Sequence, residues 1–174
     1  IVDLGVEKVA ISAAAIKELD LISRIAAKIG RQSVVVALDV RKSLLGQKYT
    51  VHTHNGKVDT KQTVLELAAH AEAMGAGEIL VNSIDNDGCM KGYDLSLARQ
   101  LRETIHIPMS VLGGAGSLQD IEKLVRTCGV VGAAAGSLFV FKGPYRAVLI
   151  NYPNESQKES LFRACLGQMP IQDD

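Results

Sequence analysis

"SVVVALDV", residues 33–40, is the stretch that decides the fold. It is almost entirely apolar and rich in β-branched residues, which is the composition of a strand that is covered on both faces. Such strands belong to parallel sheets, because the connections between parallel strands lay helices over the sheet. Asp39 is the one charged residue of the run and stands near its carboxyl end. We therefore predict a parallel sheet with a carboxylate at the end of a central strand.

Outward from this strand, apolar stretches alternate with helical patterns. Such a series predicts a parallel sheet, either a doubly wound open sheet or a closed (β/α)₈ barrel. A polar stretch at 41–59 interrupts it, and its alternating middle, 49–57, predicts a small hairpin or an extended arm. We predict domain boundaries at 1–153 for the α/β unit and 154–174 for a loosely ordered polar tail. The predicted strands are 7–12, 33–40, 78–83, 107–112 and 130–137, and the predicted helices are 16–30, 60–77, 93–104, 117–129 and a short one near 138–143.

A similarity between two segments of the chain helps to choose between the two architectures. "LGVEKVAISAAAI" at 4–16 resembles "CGVVGAAAGSLFV" at 128–140, with three other strands between them. A repeat after four β/α units is what a barrel built from two halves shows. On this count the chain holds about the last five β/α units, and three units would precede it.

Composition narrows the classes of partner. Nineteen basic and 19 acidic residues give a net charge of +0, which argues against electrostatic capture of nucleic acid or of an anionic membrane. The three cysteines have no metal-ligand spacing and suggest free thiols in a reducing cytoplasm. We see no secretion leader and no apolar run long enough to span a bilayer. No cofactor and no metal is expected.

Small and polar residues follow every predicted strand. In a barrel, active groups lie at the carboxyl ends of the strands, so these residues predict one site rim. They are Ser12, Asp39, Asn82, Ser83, Asp85, the turn Gly113–Gly116, and Gly136 with Ser137.

Two glycine turns follow the last two strands. "GGAGS" at 113–117 opens a helix with Ser117 as its predicted N-cap, and "AGS" at 135–137 repeats the arrangement one unit later. Backbone amides in such turns bind phosphate, although glycines can also serve only to permit a tight turn. Two adjacent turns favour a phosphate site.

Asp39 is the candidate general acid or base, because an ionised carboxylate after an apolar strand needs solvent or a partner. The alternative is a salt bridge with Arg41 or Lys42. Asp85 and Asp87 could act together, or each could cap the turn that contains Gly88.

Other candidates for chemistry are weaker. His52 and His54 alternate along the arm, but no third metal ligand is evident, so we expect both to be exposed polar residues. Cys89 adjoins the rim loop without an evident base that would activate it.

The chain resembles the HisF family, the cyclase subunit of imidazole glycerol phosphate synthase. The resemblance covers about Leu4 to Pro153 and is carried by the motifs "GVEKVAIS", "VVVALDV", "GAGEILVNSIDNDG", "KGYDLSLARQLRE", "VLGGAGS" and "AAGSLFVF". It implies a (β/α)₈ TIM barrel of the histidine-biosynthesis type. It also implies a glutaminase partner (HisH-like) that supplies ammonia through the barrel core, and a lyase and cyclisation reaction on a phosphorylated, ribulosyl aminoimidazole substrate.

Residue by residue, the resemblance assigns Asp39 to one of two catalytic aspartates; the other belongs to a first strand outside the chain, so this chain alone is expected to be inactive. It assigns the second-half phosphate site to Gly113, Gly114, Gly136 and Ser137, with Asp87 and Gly88 nearby. Ser12, Asn55, Asn82 and Ser83 complete the expected substrate-binding set.

Several positions depart from the histidine-pathway pattern. That pattern has Asn at Ser12, Thr at Ala13, Ser at Asn55 and Thr at Asn82. The carboxyl-terminal run resembles a sister group of second copies that is linked to sugar amidation in surface-polysaccharide synthesis. Three roles stay open: a cyclase-type subunit, an ammonia-channelling subunit for sugar amidation, and a non-catalytic scaffold that docks a glutaminase.

Overall fold

The computed structural model describes residues 5–43, 48–143 and 145–166. Its strands are β1 (Val9–Ile11), β2 (Val34–Lys42), β3 (Tyr49–Thr53), β4 (Val58–Thr63), β5 (Glu78–Ser83), β6 (Met109–Leu112), β7 (Gly132–Ala133), β8 (Phe141–Lys142) and β9 (Ala147–Val148). Its helices are α1 (Ala13–Lys17), α2 (Asp20–Ile29), α3 (Val64–Ala73), α4 (Leu95–Thr104), α5 (Leu118–Cys128), α6 (Ser137–Val140) and α7 (Glu155–Leu166).

Five parallel strands form the sheet in the order β1-β2-β5-β6-β7. Each new strand is added on the same side of the one before it, so the order never reverses. A doubly wound sheet requires a reversal, at which its ligands bind. The order is that of consecutive strands of a (β/α)₈ barrel, which decides between the two predicted architectures in favour of the barrel.

The sequence of β2 explains how the sheet packs. Val34, Val36, Leu38 and Val40 are at most 1% exposed and join the core that includes helix residues such as Leu97. The opposite face carries half-buried residues that include Ala37 and Asp39. We predicted apolar cover on both faces; among the described residues, the helices cover one of them.

A hairpin of β3 and β4 lies beside the carboxyl-terminal half of β2, antiparallel to it. Tyr49 fastens this hairpin to α4, because its hydroxyl lies 3.0 Å from both carboxylate oxygens of Asp94, the residue that caps that helix. The hairpin confirms the predicted arm but is longer than 49–57.

Several predicted bounds were wrong, and so was the prediction of a loose tail. The helix predicted from residue 60 begins at Val64, since Thr60 bonds the carbonyl of Val51 across the hairpin and Thr63 caps α3. The helix predicted over 16–30 is divided where Glu18 adopts an extended backbone. The tail predicted to be loose contains α7, which packs against α5. No helix among the described residues is long and apolar enough to cross a membrane.

Leu38→Ala tests the packing of β2. Leu38 is 0% exposed, so we expect the variant to lose about 2–5 kcal/mol of unfolding free energy through lost burial and the cavity left behind. Urea unfolding followed by circular dichroism measures the loss. Val130→Ala is the control, since Val130 is 90% exposed; equal effects of the two substitutions would contradict the packing described.

Candidate functional site

Six of the predicted site residues line one cleft at the carboxyl ends of the strands. The cleft lies between the loop after β5, the turn after β6 and the turn after β7. All three segments follow parallel strands, whose carboxyl ends meet at one edge of the sheet. The lining residues are Asp87, Gly88, Leu112, Gly113, Gly114, Ala115, Ala135, Gly136 and Ser137.

Close backbone packing explains the glycines after β6. A Cβ on Gly113 would lie 2.5 Å from the carbonyl oxygen of Ser83, and one on Gly114 would lie 2.1 Å from that of Gly92. Both residues also have positive φ, of 97° and 107°. The Gly92 amide donates to the Gly114 carbonyl at 2.8 Å. These glycines are therefore required by the geometry of the turn.

Side chains at the start of α5 already accept hydrogen bonds from backbone amides there. Ser117 caps the helix as predicted, accepting from the Asp120 amide. The carboxylate of Asp120 in turn accepts from the Gly116 amide at 3.1 Å and from the Ser117 hydroxyl at 2.9 Å. Any anion in the cleft is therefore left with the groups before Gly116 and with those of the turn after β7.

Asp39 occupies the end of β2 beside this cleft. The side-chain amide of Asn82 donates to its Oδ1 at 2.9 Å, and the two residues are direct partners across β2 and β5. A Cβ on Gly113 would lie 3.1 Å from Asn82 Oδ1, so this pair adjoins the glycine turn. Asp39 and the cleft thus form one continuous region.

The salt bridge considered for Asp39 is absent from the described residues. Arg41 pairs instead with Asp85, with Nε 3.2 Å from Oδ1, and the Lys42 amide donates to the other oxygen of Asp85 at 3.0 Å. Asp85 therefore ties the rim loop to β2. Asp87 is exposed at the cleft and makes no such tie.

The remaining predicted residues lie outside the cleft lining. Ser83 is buried, and its carbonyl accepts from the amides of Asn86 and Asp87, which shapes the rim loop. Asn55 is exposed at the hairpin tip with φ of 58°. Ser12 precedes α1 without a side-chain capping bond.

The expectation that His52 is exposed was wrong. His52 is 7% exposed and stands opposite Asp39 in the β2–β3 register, whereas His54 is exposed at the turn. Alternation along Tyr49–Thr53 gave no signal of this burial, because it puts His52 on the face away from the core residue Val51.

Tyr93 connects the loop after β5 to the segment after β7 through a hydrogen bond. It is buried, and its hydroxyl donates to the Ala134 carbonyl at 2.9 Å, just after β7. Burial, and to a smaller extent the charge of Asp120, raise the pKa of Tyr93 to about 12. It is therefore a neutral hydrogen-bond donor at physiological pH.

An ion pair lies on the sheet face that carries Asp39 and Asn82, at the amino ends of the strands. Lys8 Nζ lies 2.5 Å from Glu78 Oε2, and the Ser110 hydroxyl donates to Glu78 Oε1 at 2.6 Å. Glu78 precedes Asn82 by four residues, which is about 13 Å along β5. Burial would raise the pKa of Glu78, but the hydrogen bonds from Lys8 and Ser110 and the charge of Lys8 together lower it.

The histidine biosynthesis protein family model matches residues 1–145. The chain belongs to this family. It is 52% identical over 162 residues to a protein of Leptospira interrogans provisionally named imidazole glycerol phosphate synthase subunit HisF. The aligned residues make up 93% of this chain and 64% of that relative. A Vibrio vulnificus protein, provisionally named subunit hisF3, is 50% identical over 91% of the chain and 61% of its own length.

The subunit HisF of Chlorobaculum tepidum is 43% identical over 79% of the chain and 54% of its own length. The chain thus spans between 54% and 64% of these relatives. The predicted resemblance and the barrel class are confirmed.

Gly114→Ala tests the contact between the two loops. We expect the added methyl group to force the turn away from Gly92, which would weaken their 2.8 Å hydrogen bond and speed exchange of the Gly92 amide at least tenfold. Amide hydrogen exchange measures this. Gly136→Ala is the matched control, since a Cβ there meets nothing within 4 Å; similar exchange in both variants would contradict the steric explanation.

Lys8→Met tests the ion pair through pH. Because the pKa of Glu78 is lowered in the folded protein, its ionised form stabilises the fold above the ordinary glutamate range, and this contribution is lost as pH falls through the folded pKa. We expect the variant to lose about 0.5–1 kcal/mol at pH 7. The difference in unfolding free energy between the variant and the parent protein should become smaller as the pH falls towards 4.

Urea unfolding at both pH values measures this loss. Lys17→Met, at an exposed position of α1, is the control. A difference that stays constant with pH would assign the effect of Lys8 to packing and not to charge.

Proposed function

We propose that the chain is the phosphate-binding part of a cyclase-type synthase subunit of the imidazole glycerol phosphate synthase kind. In this proposal the whole subunit takes ammonia from a glutaminase partner and performs a lyase and cyclisation reaction on a phosphorylated substrate. The observation that carries the proposal is the adjacency of the Asp39–Asn82 pair to the glycine cleft. The names of the relatives support the reaction class.

The cleft suits a phosphate group. Backbone amides before Gly116 and the Ser137 hydroxyl are donors of the kind that bind phosphate oxygens without a full positive charge. Glycines let the backbone approach the anion closely. In this role Asp87 and Gly88 shape the rim, and the exposed carboxylate of Asp87 is placed to contact hydroxyl groups next to the phosphate.

Asp39 is the proposed general acid or base. The hydrogen bond from Asn82 fixes one carboxylate oxygen, Oδ1, and a lone pair of the other oxygen, Oδ2, exchanges a proton with the substrate. A substrate anchored by its phosphate would be held with its reacting part over Asp39, because the two regions adjoin. Holding reactant and catalytic group in one geometry supplies much of the rate enhancement in such sites.

The opposite end of the sheet face suits entry of ammonia. A molecule that travels along this face from the amino ends of the strands meets the Lys8–Glu78 pair first, then the layer of Ala37, Leu80 and Ser110, and then Asp39. Ammonia is small and neutral, and this layer offers it mostly apolar contact. The glutaminase partner is accordingly proposed to dock at the amino ends.

Asp39→Asn tests the catalytic role in the full-length subunit. We expect ammonia-dependent loss of the bisphosphorylated imidazole precursor to slow by about 10²–10⁴-fold, as for removal of a general acid or base. Binding of inorganic phosphate should persist, because Asp39 lies outside the cleft lining. Asp20→Asn is the control, since Asp20 is exposed in the first turn of α2.

The outcomes separate the open roles. Full turnover by Asp39→Asn would refute the proposed acid–base role. A folded parent protein that binds phosphate but leaves the precursor unchanged would favour sugar amidation, and the assay would then move to amidated sugar substrates. A parent protein that binds a glutaminase but no phosphate would indicate a docking scaffold.

A further inference from the structure

Two buried polar atoms of the described residues lack a hydrogen-bond partner: His52 Nδ1 and Asn82 Oδ1. Such atoms are rare in proteins, because an unpaired buried polar group loses its bonds to water without replacement. Both residues are direct cross-strand partners of Asp39, His52 on β3 and Asn82 on β5. The two unpaired atoms therefore flank the candidate catalytic carboxylate.

The strand register puts the three side chains in one row. Residues that are directly opposite on neighbouring strands project to the same face, with Cβ atoms about 5 Å apart. Asp39 is thus bracketed by an imidazole on one side and a carboxamide on the other. The second ring nitrogen of His52, Nε2, lies 3.2 Å from Thr50 Oγ1, which leaves Nδ1 as the nitrogen available to a further partner.

Asp39 has a matching unpaired acceptor. Its Oδ1 accepts from Asn82, while among the described residues its Oδ2 accepts no hydrogen bond. An unpaired carboxylate oxygen and an unpaired ring nitrogen therefore belong to neighbouring residues of the row. The two residues are directly opposite in the β2–β3 register, so rotation about their side-chain bonds is the motion that would bring the two atoms together.

We propose that His52 is a positioning residue for Asp39, with its Nδ1–H donating to Asp39 Oδ2 in the working site. The proposal rests on the proposed role of Asp39 and deepens it. Protonated His52 stabilises the ionised carboxylate, and Asn82 holds the other oxygen. The pair keeps Asp39 ionised and oriented as a base towards the substrate.

Two carboxylates stand directly opposite His52, Asp39 on β2 and Asp59 on β4. Asp59 is already bonded by Lys61, whereas among the described residues Asp39 Oδ2 accepts no hydrogen bond. Arg41 is engaged by Asp85, and Lys61 Nζ lies 2.7 Å from Asp59 Oδ2. The hydrogen bonds from Lys61, and to a smaller extent the charge of His52, lower the pKa of Asp59, so His52 acts across β3 and β4 as well. The charged residues on the strands beside His52 are Asp39, Arg41, Lys42, Asp59 and Lys61.

The pairing is tested by nitrogen NMR of the imidazole rings, which requires no turnover. We expect the titration midpoint of His52 to fall by about one pH unit in Asp39→Asn, because the carboxylate of the directly opposite residue is removed. The coupling is mutual, so His52→Phe should raise the carboxyl midpoint of Asp39 by the same amount. Asp20→Asn is the control and should leave His52 unchanged.

The positioning role is tested in the full-length subunit by kinetics. We expect His52→Phe to lower kcat with little change in KM, and to move the acidic limb of the pH profile to higher pH. His52→Asn places a side-chain amide near the Nδ1 position and should restore part of the rate. If His52→Phe misfolds, His52→Asn carries the comparison alone, with an intermediate rate and pH limb expected.

Two results would overturn the proposal. One is a His52 midpoint that stays within about 0.2 pH unit in folded Asp39→Asn. The other is a pH profile of the His52 variants identical to that of the parent protein. Failure of the proposed function has a different signature, because the parent protein would then leave the precursor unchanged, whereas the NMR coupling between Asp39 and His52 is measured without turnover and decides the pairing by itself.

Discussion

The burial of one face of β2 is the constraint on which the site depends. Val34, Val36, Leu38 and Val40 must all face the helices, because exposing four such side chains would cost most of the stability of a small domain. With a side-chain period of two, this choice sends Asp39 to the opposite face. A slip of one residue would bury the carboxylate among helix side chains, so the register is strongly specified. The location of the candidate base is thus a consequence of core packing.

The sequence allowed the strands, most helices and the gathering of the cleft residues to be predicted. A continuous apolar, β-branched run identifies β2, predicted at 33–40 and observed at Val34–Lys42. Parallel strands bring their carboxyl ends to one edge whatever the details of packing, which is why Asp87, Gly113 and Ser137 could be expected to meet. The choice between barrel and doubly wound sheet needed the observed strand order, since local patterns are alike in both architectures.

The hairpin and the environment of Asp39 were harder to predict because they depend on tertiary contacts. The segment Val58–Thr63 has no apolar face, and it becomes a strand only by pairing with β3. The burial of His52 follows from that pairing, so it could not be read from composition. Arg41 was an equally good partner in sequence for Asp39 or Asp85, and only the side-chain geometry assigns it to Asp85.

The tie between Arg41 and Asp85 also has a consequence for the kinetics of ligand capture. The guanidinium beside the rim is already neutralised by a carboxylate, and the chain as a whole has a net charge of +0. Long-range attraction of an anion needs an uncompensated positive field, which falls off over about 8–10 Å in physiological salt. For the proposed phosphorylated ligand, the rate of encounter with this cleft should therefore depend only weakly on ionic strength.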